Sequence, residues 1–485
     1  MGIEVGSGGA IWVAVGGAFL LVVATQWVLW ATSYRYRGAK LAKGTYGLPF
    51  VGETIQFLRW SCDPRKFVDY RIRKYGSKSF KTHLFGVPTF ITTDPDVASK
   101  IYQHPTTVLQ GHLPDSAIAI IGPQSYQFAP GKEHDPIHKL ISNFMFPQSL
   151  TPYVPELENL FWTHMRKWDG KVVKVTDALK KVVTIMLMNL FAGFSHEDED
   201  EELITQIYKL MDGSLKDAFI SLPLNLPGTT FNKGLKAREE MLLLIKTFIA
   251  KRKHKTGAKS GSTLLDELLA YKNENGEHMS SGKIMDTLMT LLFGGIDSTR
   301  NTFALCLKNL MNHPEVLERL KAEHEAIRKA KPPGEPLSID DLNKMTYTNQ
   351  VVFETLRNPG GGPFSTRRTL QDVNLGGYDV PKGWNIISFF PGYHFDPETF
   401  PHPESFDPAH FNEKKTQKQF SPFGGGSNVC SGRELAKIEL KILLHIFLTK
   451  FRWEYDGVPS EKLQFYPACA PADGLRLKVN VIEST

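Results

Sequence analysis

The stretch Phe423-Gly-Gly-Gly-Ser-Asn-Val-Cys-Ser-Gly432 places one cysteine in a glycine-rich loop directly before a strongly helical run. Glycines let a backbone lie close to a flat ligand and adopt conformations closed to residues with a Cβ. Arg433 to Phe451 reads as a helix, because Leu435, Ile438, Ile442, Leu443, Ile446 and Phe447 recur at roughly 3.6-residue spacing and form an apolar stripe. Cys430 therefore falls near a helix start, where free amide hydrogens and the positive end of the helix dipole favour a thiolate. A lone thiolate is a soft anionic metal ligand, and it suits haem iron better than zinc, which normally takes three or four protein ligands. Read alone, the loop also fits a buried structural cysteine beside a glycine turn.

The rest of the composition narrows the classes. A chain of 485 residues that is 41% hydrophobic and 22% charged has ordinary globular composition and can bury a large core. A net charge of +6 without a dense basic block argues against nucleic acid as a partner. Cys62, Cys306, Cys430 and Cys469 are scattered, with no zinc-type or redox-type spacing, so the main body belongs in a reducing compartment. The N-terminus differs from this body. Ala10 to Ala31 is an uncharged, mainly apolar run, about 33 Å long as a helix and so long enough to span a bilayer. Only Glu4 precedes it, whereas Arg35, Arg37 and Lys40 follow it, which predicts an uncleaved anchor with the body on the cytosolic side. The reading is an anchor over residues 1–37 and one catalytic domain over 38–485, the alternative for the apolar run being a buried helix.

Along the chain, Lys43 to Glu53 is a glycine-punctuated linker, and Thr82 to Thr93, broken at Gly86-Val-Pro88, reads as a hairpin. Thr106 to Pro130 is a long irregular segment of the kind that covers pockets. Helices are predicted over 157–168, 176–191, 201–221, 231–253 and 264–272, and short strands over 373–380 and 384–389. The apolar turn Leu222-Pro-Leu-Asn-Leu226 is either a membrane-touching entrance or a buried inter-helix turn. The expected fold is mainly α with small β-sheets.

Ser281 to Asn312 reads as one long central helix, apolar on most faces, with Gly294-Gly-Ile-Asp-Ser-Thr299 inside it. Two glycines in a helix interior cost about 1 kcal/mol each relative to alanine, so either close helix packing or close approach of a flat cofactor compensates. Asp297 beside Ser298 is either a proton relay or a polar kink in which a hydroxyl bonds one turn back. A capping-box pattern at Ser338–Asp341 opens a helix that runs to Glu354-Thr-Leu-Arg357, where the acid and the arginine share a face and pair.

The apolar start, Gly-Gly-x-Asp-Ser-Thr in a long helix, Glu-x-x-Arg and Phe-Gly-Gly-Gly-x-x-x-Cys-x-Gly together resemble the haem-thiolate monooxygenases, cytochrome P450, over the chain beyond residue 43. Phe128-Ala-Pro-Gly131, Leu226-Pro-Gly-Thr-Thr-Phe231 and Gly377-Tyr-Asp-Val-Pro-Lys-Gly-Trp384 look like the plant branch that oxidises sterols, brassinosteroids, triterpenoids and diterpenoids such as taxanes. The resemblance implies a cytochrome P450 fold with the long helix over haem b. Cys430 then matches the iron ligand, in a loop shaped by Phe423, Gly424, Gly426 and Gly432. Asp297 and Ser298 match the catalytic acid–alcohol pair, and Glu354 with Arg357 the motif bracing the core. Arg367, or its neighbour Arg368, matches the partner of one haem propionate. His134 and His138 stand where a basic residue meets the other. Several positions depart from the pattern: Asn428 and His410 stand where arginines are usual, Ser431 where proline is usual, and Ser298 where threonine is usual. Phe293, Gly294, Phe364 and Ala470 are implied to face substrate, together with segments 106–125, 222–226 and 467–474.

By the same resemblance the activity is oxidation of an apolar terpenoid or sterol with O2 and electrons from NADPH-cytochrome P450 reductase at the endoplasmic reticulum membrane. Lys414, Lys415 and Lys418 form either the docking face for that reductase or a solvated loop. Two other readings are carried: reductase-independent rearrangement of a peroxide substrate, and a lipid or terpenoid binder that has lost catalysis.

Overall fold

The computed structural model describes residues 7–33, 38–48, 51–60, 63–193, 198–219, 221–254, 263–358, 362–412, 419–465 and 468–482. Lys414, Lys415, Lys418 and Pro467 lie outside them. The expected mainly helical architecture with small sheets is observed. At its centre Ser281–Asn312 is one unbroken helix, started by Ser280, whose side chain accepts the Lys283 amide. It packs against the helices Val175–Ala192, Thr346–Arg357 and Arg433–Lys450. Leu187, Phe191, Phe303, Leu307, Val351, Leu443 and Phe447, drawn from all four, share one core. A helix surrounded in this way must be apolar on most faces, which is why its sequence shows no clean amphipathic stripe.

The largest sheet has five strands in the order Ser79–Leu84, Val87–Thr92, Asn385–Phe389, Phe364–Thr369 and Leu109–Gly111. Only the second and third of these run parallel. The hairpin turns through Phe85 and Gly86, both at positive φ, the twist a tight two-residue connection requires. Lys171–Lys174, Arg476–Val481 and Phe451–Tyr455 form a second sheet.

Several boundaries differ from expectation. The run 201–221 is two helices, Asp198–Asp212 and Ser214–Ala218, divided at Gly213. The capping box at Ser338 and Asp341 is present, but it starts the short helix Ile339–Lys344, and Met345 breaks the chain before Thr346–Arg357. Segment 106–130 holds the strand Leu109–Gly111 and the helix Asp115–Ile121, so it is only partly irregular. Residues 373–380 form a small hairpin rather than one strand, because Gly376 and Gly377 both take positive φ.

Ser7–Ser33 forms one helix without a charged residue. Its side chains are described over 15–28, where Phe19, Leu20, Leu21 and Val22 are exposed. Among the described residues no helix is long and apolar enough to cross a membrane. The turn 222–226 is not buried between helices, since Leu222, Leu224 and Leu226 all stand in solvent.

Candidate active site

The central helix, the cysteine loop, the helix Gly131–Phe144 and the strand Phe364–Thr369 enclose a cavity of about 400 Å³. Cys430 lies on its wall. The Cys430 amide donates to the Phe423 carbonyl at 2.9 Å, closing the loop on itself. The glycines of the loop divide between two tasks. Gly424 and Gly432 line the cavity, and a methyl added to either would meet nothing nearer than 3.8 Å. Gly426 does not line it. Its positive φ and the Tyr102 carbonyl, 1.9 Å from where a Cβ would stand, show that this glycine lets the loop lie on the helix Pro95–Gln103. Gly426 therefore shapes the loop from behind rather than from the cavity side.

Cys430 is enclosed by protein and yet accessible, because the surface it exposes is cavity wall. Burial pushes its thiol pKa up, and the Gly432 amide and the Arg433 charge pull it back only in part. The helix start alone does not offset that burial.

The adjacent glycines of the central helix also separate. A Cβ on Gly295 would stand 2.8 Å from Leu187 Cδ1, so this glycine serves helix packing. Gly294 lines the cavity with nothing within 4 Å of its missing Cβ. Both glycines line the cavity, but Gly295 makes room for Leu187 whereas Gly294 leaves open space. Ser298 also lines the cavity, and its hydroxyl donates to the Gly294 carbonyl at 2.6 Å. Asp297 turns away, with Oδ1 2.8 Å from Arg300 Nε. The acid and the hydroxyl therefore point to different sides of the helix, and only the hydroxyl reaches the cavity.

A second acid–alcohol pair went unread in the sequence. Thr299 Oγ1 donates to Glu439 Oε2 at 2.8 Å, and both residues line the cavity. Burial pushes the Glu439 carboxyl up to about 8 against that hydrogen bond, so it is protonated near neutrality. An acid inside the apolar repeat of the cysteine helix is the one signal that marks it.

Strand alternation resolves the paired arginines. Arg367 points inward to the cavity and is 7% exposed, whereas Arg368 is off the wall. The Arg367 guanidinium donates to the carbonyls of Thr366 at 2.8 Å and Asn428 at 3.4 Å. Among the described residues no carboxylate pairs with it, and burial pushes its pKa down to about 10. A buried unpaired cation on a cavity wall calls for an anion in the cavity. Asn428 also lines the wall.

His134, His138 and Tyr126 stack along the opposite wall, with the two imidazole centroids 5.2 Å apart. Asp135 Oδ1 holds His134 Nδ1 at 2.7 Å. His138 Nε2 lies 2.8 Å from the Val429 carbonyl, which can only accept, so this nitrogen carries a proton. Burial lowers the His138 pKa. Tyr126 and Ser431 share a hydrogen bond of 2.8 Å, so both residues flanking Cys430 are gripped from this segment.

Glu354 and Arg357 are fully buried, not a surface pair. Arg357 meets Glu354 through Nε at 2.8 Å and Nη2 at 2.6 Å, and donates to the carbonyls of His394, Pro403 and Ser405. His410 Nδ1 completes the cluster 3.2 Å from Glu354 Oε1. Burial alone would raise the Glu354 pKa, but the hydrogen bonds from Arg357 and His410 outweigh it and hold it low.

Of the expected substrate-facing residues, Phe364 joins Gly294 on the wall. Phe293 does not; it stacks on Phe219 with centroids 5.9 Å apart. Ala470 sits in the strand pair Leu463–Gln464 and Ala470–Pro471, also off the wall. Leu187, Phe191, Thr290, Leu291 and Phe390 take their place.

An open face at Gly294, a thiol at Cys430 and an unpaired cation at Arg367 fit a flat, iron-bearing cofactor with carboxylate groups. Comparison with known proteins agrees. The family model described as cytochrome P450 matches residues 42–472. The Arabidopsis thaliana protein named abscisic acid 8'-hydroxylase 2 is 33% identical over 456 residues, covering 93% of this chain and 92% of the relative. Cytochrome P450 85A1 of Brachypodium distachyon is 31% identical, with 96% of this chain and 98% of the relative covered. Among solved structures, retinoic acid-bound cyanobacterial CYP120A1 superposes with a TM-score of 0.82 at 26% identity, covering 92% of this chain and all of the other.

Proposed function

We propose that this chain, which belongs to the cytochrome P450 family and is therefore a haem-b monooxygenase, oxidises a neutral, apolar terpenoid- or sterol-like molecule at the endoplasmic reticulum membrane. The observation that carries the reading is that the Cys430 thiol, the open face of Gly294 and the unpaired Arg367 share one cavity. Cys430 would ligate the iron and Arg367 would pair with a carboxylate of the cofactor, while Phe423, Gly424 and Gly432 form the adjoining wall. Bound there, haem supplies the activation of O2.

The chain's own residues supply position, dryness and protons. Ser298 presents a hydroxyl beside Gly294, suited to pass a proton into the cavity, whereas Asp297, held by Arg300 on another side of the helix, is not placed to supply it directly. Leu113, Leu187, Phe191, Leu291, Phe364 and Phe390 make the cavity apolar, with Thr290 and Gln127 as orienting polar groups. Among the described wall residues Arg367 is the sole lysine or arginine. An acidic substrate would have to share it with the cofactor, so a neutral one is favoured. The exposed apolar side chains over 15–28, such as Phe19 and Leu20, and those of the 222–226 turn support attachment to a membrane, where NADPH-cytochrome P450 reductase is the expected electron donor. The cavity-facing thiol and hydroxyl favour catalysis over a lapsed binder and over peroxide rearrangement.

The test is the carbon monoxide difference spectrum of the reduced, haem-supplied protein, followed by product analysis with a reductase and neutral terpenoids. A thiolate-type Soret band that Cys430→Ala abolishes is expected. Its absence from the unmodified protein overturns the reading.

A further inference from the structure

We propose that His410 is a positioning residue that works as a cation: its doubly protonated ring joins the buried Glu354–Arg357 pair to the turn at Pro401, and loss of that proton loosens the support of the cysteine loop. The inference rests on the haem-binding reading for its consequence, though not for its geometry.

Both ring nitrogens of His410 face acceptors. Nδ1 is 3.2 Å from Glu354 Oε1, and Nε2 is 2.6 Å from the Pro401 carbonyl. The carbonyl has no proton to give. Glu354 has none either, because it already receives Arg357 Nε, Arg357 Nη2 and the Asp407 amide, the donor set of an ionised carboxylate. A neutral imidazole carries one N–H, so it would set a lone pair against one of the two acceptors. The side chain is 6% exposed, leaving little room for water to relieve that clash. The ring is therefore an imidazolium.

The charged groups facing it are Glu354, which favours the proton, and Arg357, which opposes it; both come from the helix Thr346–Arg357. From the preceding turn it meets the Pro401 carbonyl and the edge of Phe400. Burial lowers the His410 pKa, but the bonds to Glu354 and Pro401 outweigh it and the net shift is upward.

The link to the cysteine loop is a short run of contacts. Phe411, next to His410, packs on Phe420 at 4.7 Å, and Phe353 touches both rings. The Ser421 amide then donates to His394 Nε2, and Phe423 holds the Cys430 amide. Because the folded pKa is raised, the contribution of His410 is full below the ordinary histidine value near 6.5 and is lost as pH rises through the folded value.

The experiment follows haem transfer from the holoprotein to excess apomyoglobin at pH 6 to 9, for the unmodified chain, His410→Arg and His410→Gln. The unmodified chain should lose haem severalfold faster at pH 9 than at pH 6. His410→Arg should stay slow and flat with pH, and His410→Gln fast and flat. A flat profile for the unmodified chain, or the same alkaline acceleration in His410→Arg, overturns the proposal. A chain that takes up no haem at any pH sinks the functional reading instead. The pH dependence of unfolding of the haem-free protein, with the same variants, then decides His410: alkaline destabilisation absent from His410→Arg supports it, and destabilisation shared by both overturns it.

Discussion

Gly294 and Gly295 are neighbours in one helix, yet alanine at each should do opposite things. Removing a helix-interior glycine in favour of alanine stabilises by about 1 kcal/mol when the methyl has room. At Gly294 nothing lies within 4 Å of the new Cβ, so the full gain should appear and the unfolding midpoint should rise. At Gly295 the same methyl would stand 2.8 Å from Leu187 Cδ1 and 3.4 Å from Cδ2, against a side chain that is 1% exposed. Relieving such overpacking costs roughly 1–3 kcal/mol, which cancels or exceeds the gain. The two variants should therefore differ by at least about 1 kcal/mol in guanidinium unfolding of the haem-free protein. Ligand binding should rank the other way. Both glycines line the cavity, but only the Gly294→Ala methyl meets open space there, beside Ser298, so it should weaken a closely fitting ligand in a spectral titration more than Gly295→Ala, whose methyl is directed at Leu187. If Gly294→Ala lowers the midpoint as much as Gly295→Ala, the reading that a methyl has room at Gly294 and none at Gly295 is wrong.

Arg367→Leu removes a buried, unpaired cation, so the haem-free fold should be as stable or more so, while haem dissociation should accelerate by roughly 10- to 100-fold, the worth of one charge-assisted hydrogen bond; unchanged dissociation would exclude Arg367 as the carboxylate partner. Glu439 has a raised pKa, so between about 4.5 and about 8 the folded chain holds a proton that the unfolded chain has released, and stability falls across that window. Glu439→Gln keeps an acceptor for Thr299 and should remove that fall; an unaltered slope in pH-dependent unfolding would show that the acid is not protonated in the fold. Histidines 324, 394 and 445 are pushed down to about 3 by burial, so their contribution should be lost as pH falls below about 6.5, an acid limb that apo-protein unfolding from pH 7 to 4 would reveal. Matched methyl esters and carboxylic acids of one terpenoid skeleton should bind with the ester at least about tenfold tighter at pH 7.5, and tighter binding of the acid would refute a neutral-substrate cavity.

What could be read without coordinates followed the strength of local signals. Ser281–Asn312 was legible to the residue, because a long apolar pattern was bounded by a serine cap at one end and His313-Pro314 at the other. The helix ahead of Glu354 was not, since its break falls at Met345, a residue with no turn preference of its own. Within the site, Cys430 and Ser298 were legible as cavity positions from their motifs, whereas the choice between Arg367 and Arg368 needed the strand's placement. Phe293 was misplaced by one helical position: the step of about 100° from Gly294 turns its ring from the cavity to Phe219. The Thr299–Glu439 bond joins segments 140 residues apart, and spacing carries no information at that range.

The departures from the family pattern make sense as a set once their partners are known. Ser431 meets Tyr126, and His138 meets the Val429 carbonyl. His410 meets Glu354 on one side and Pro401 on the other. In each case a hydrogen bond within the protein occupies the position, so the cysteine loop is held by the chain itself on both flanks of Cys430. Arg367 is the exception, a buried cation on the cavity wall that meets carbonyls but, among the described residues, no carboxylate. A fold that had abandoned its cofactor would gain by neutralising that charge, because an unpaired buried cation is among the most costly groups a core can keep. Its retention beside a loop rebuilt around it argues that the anion it awaits still binds.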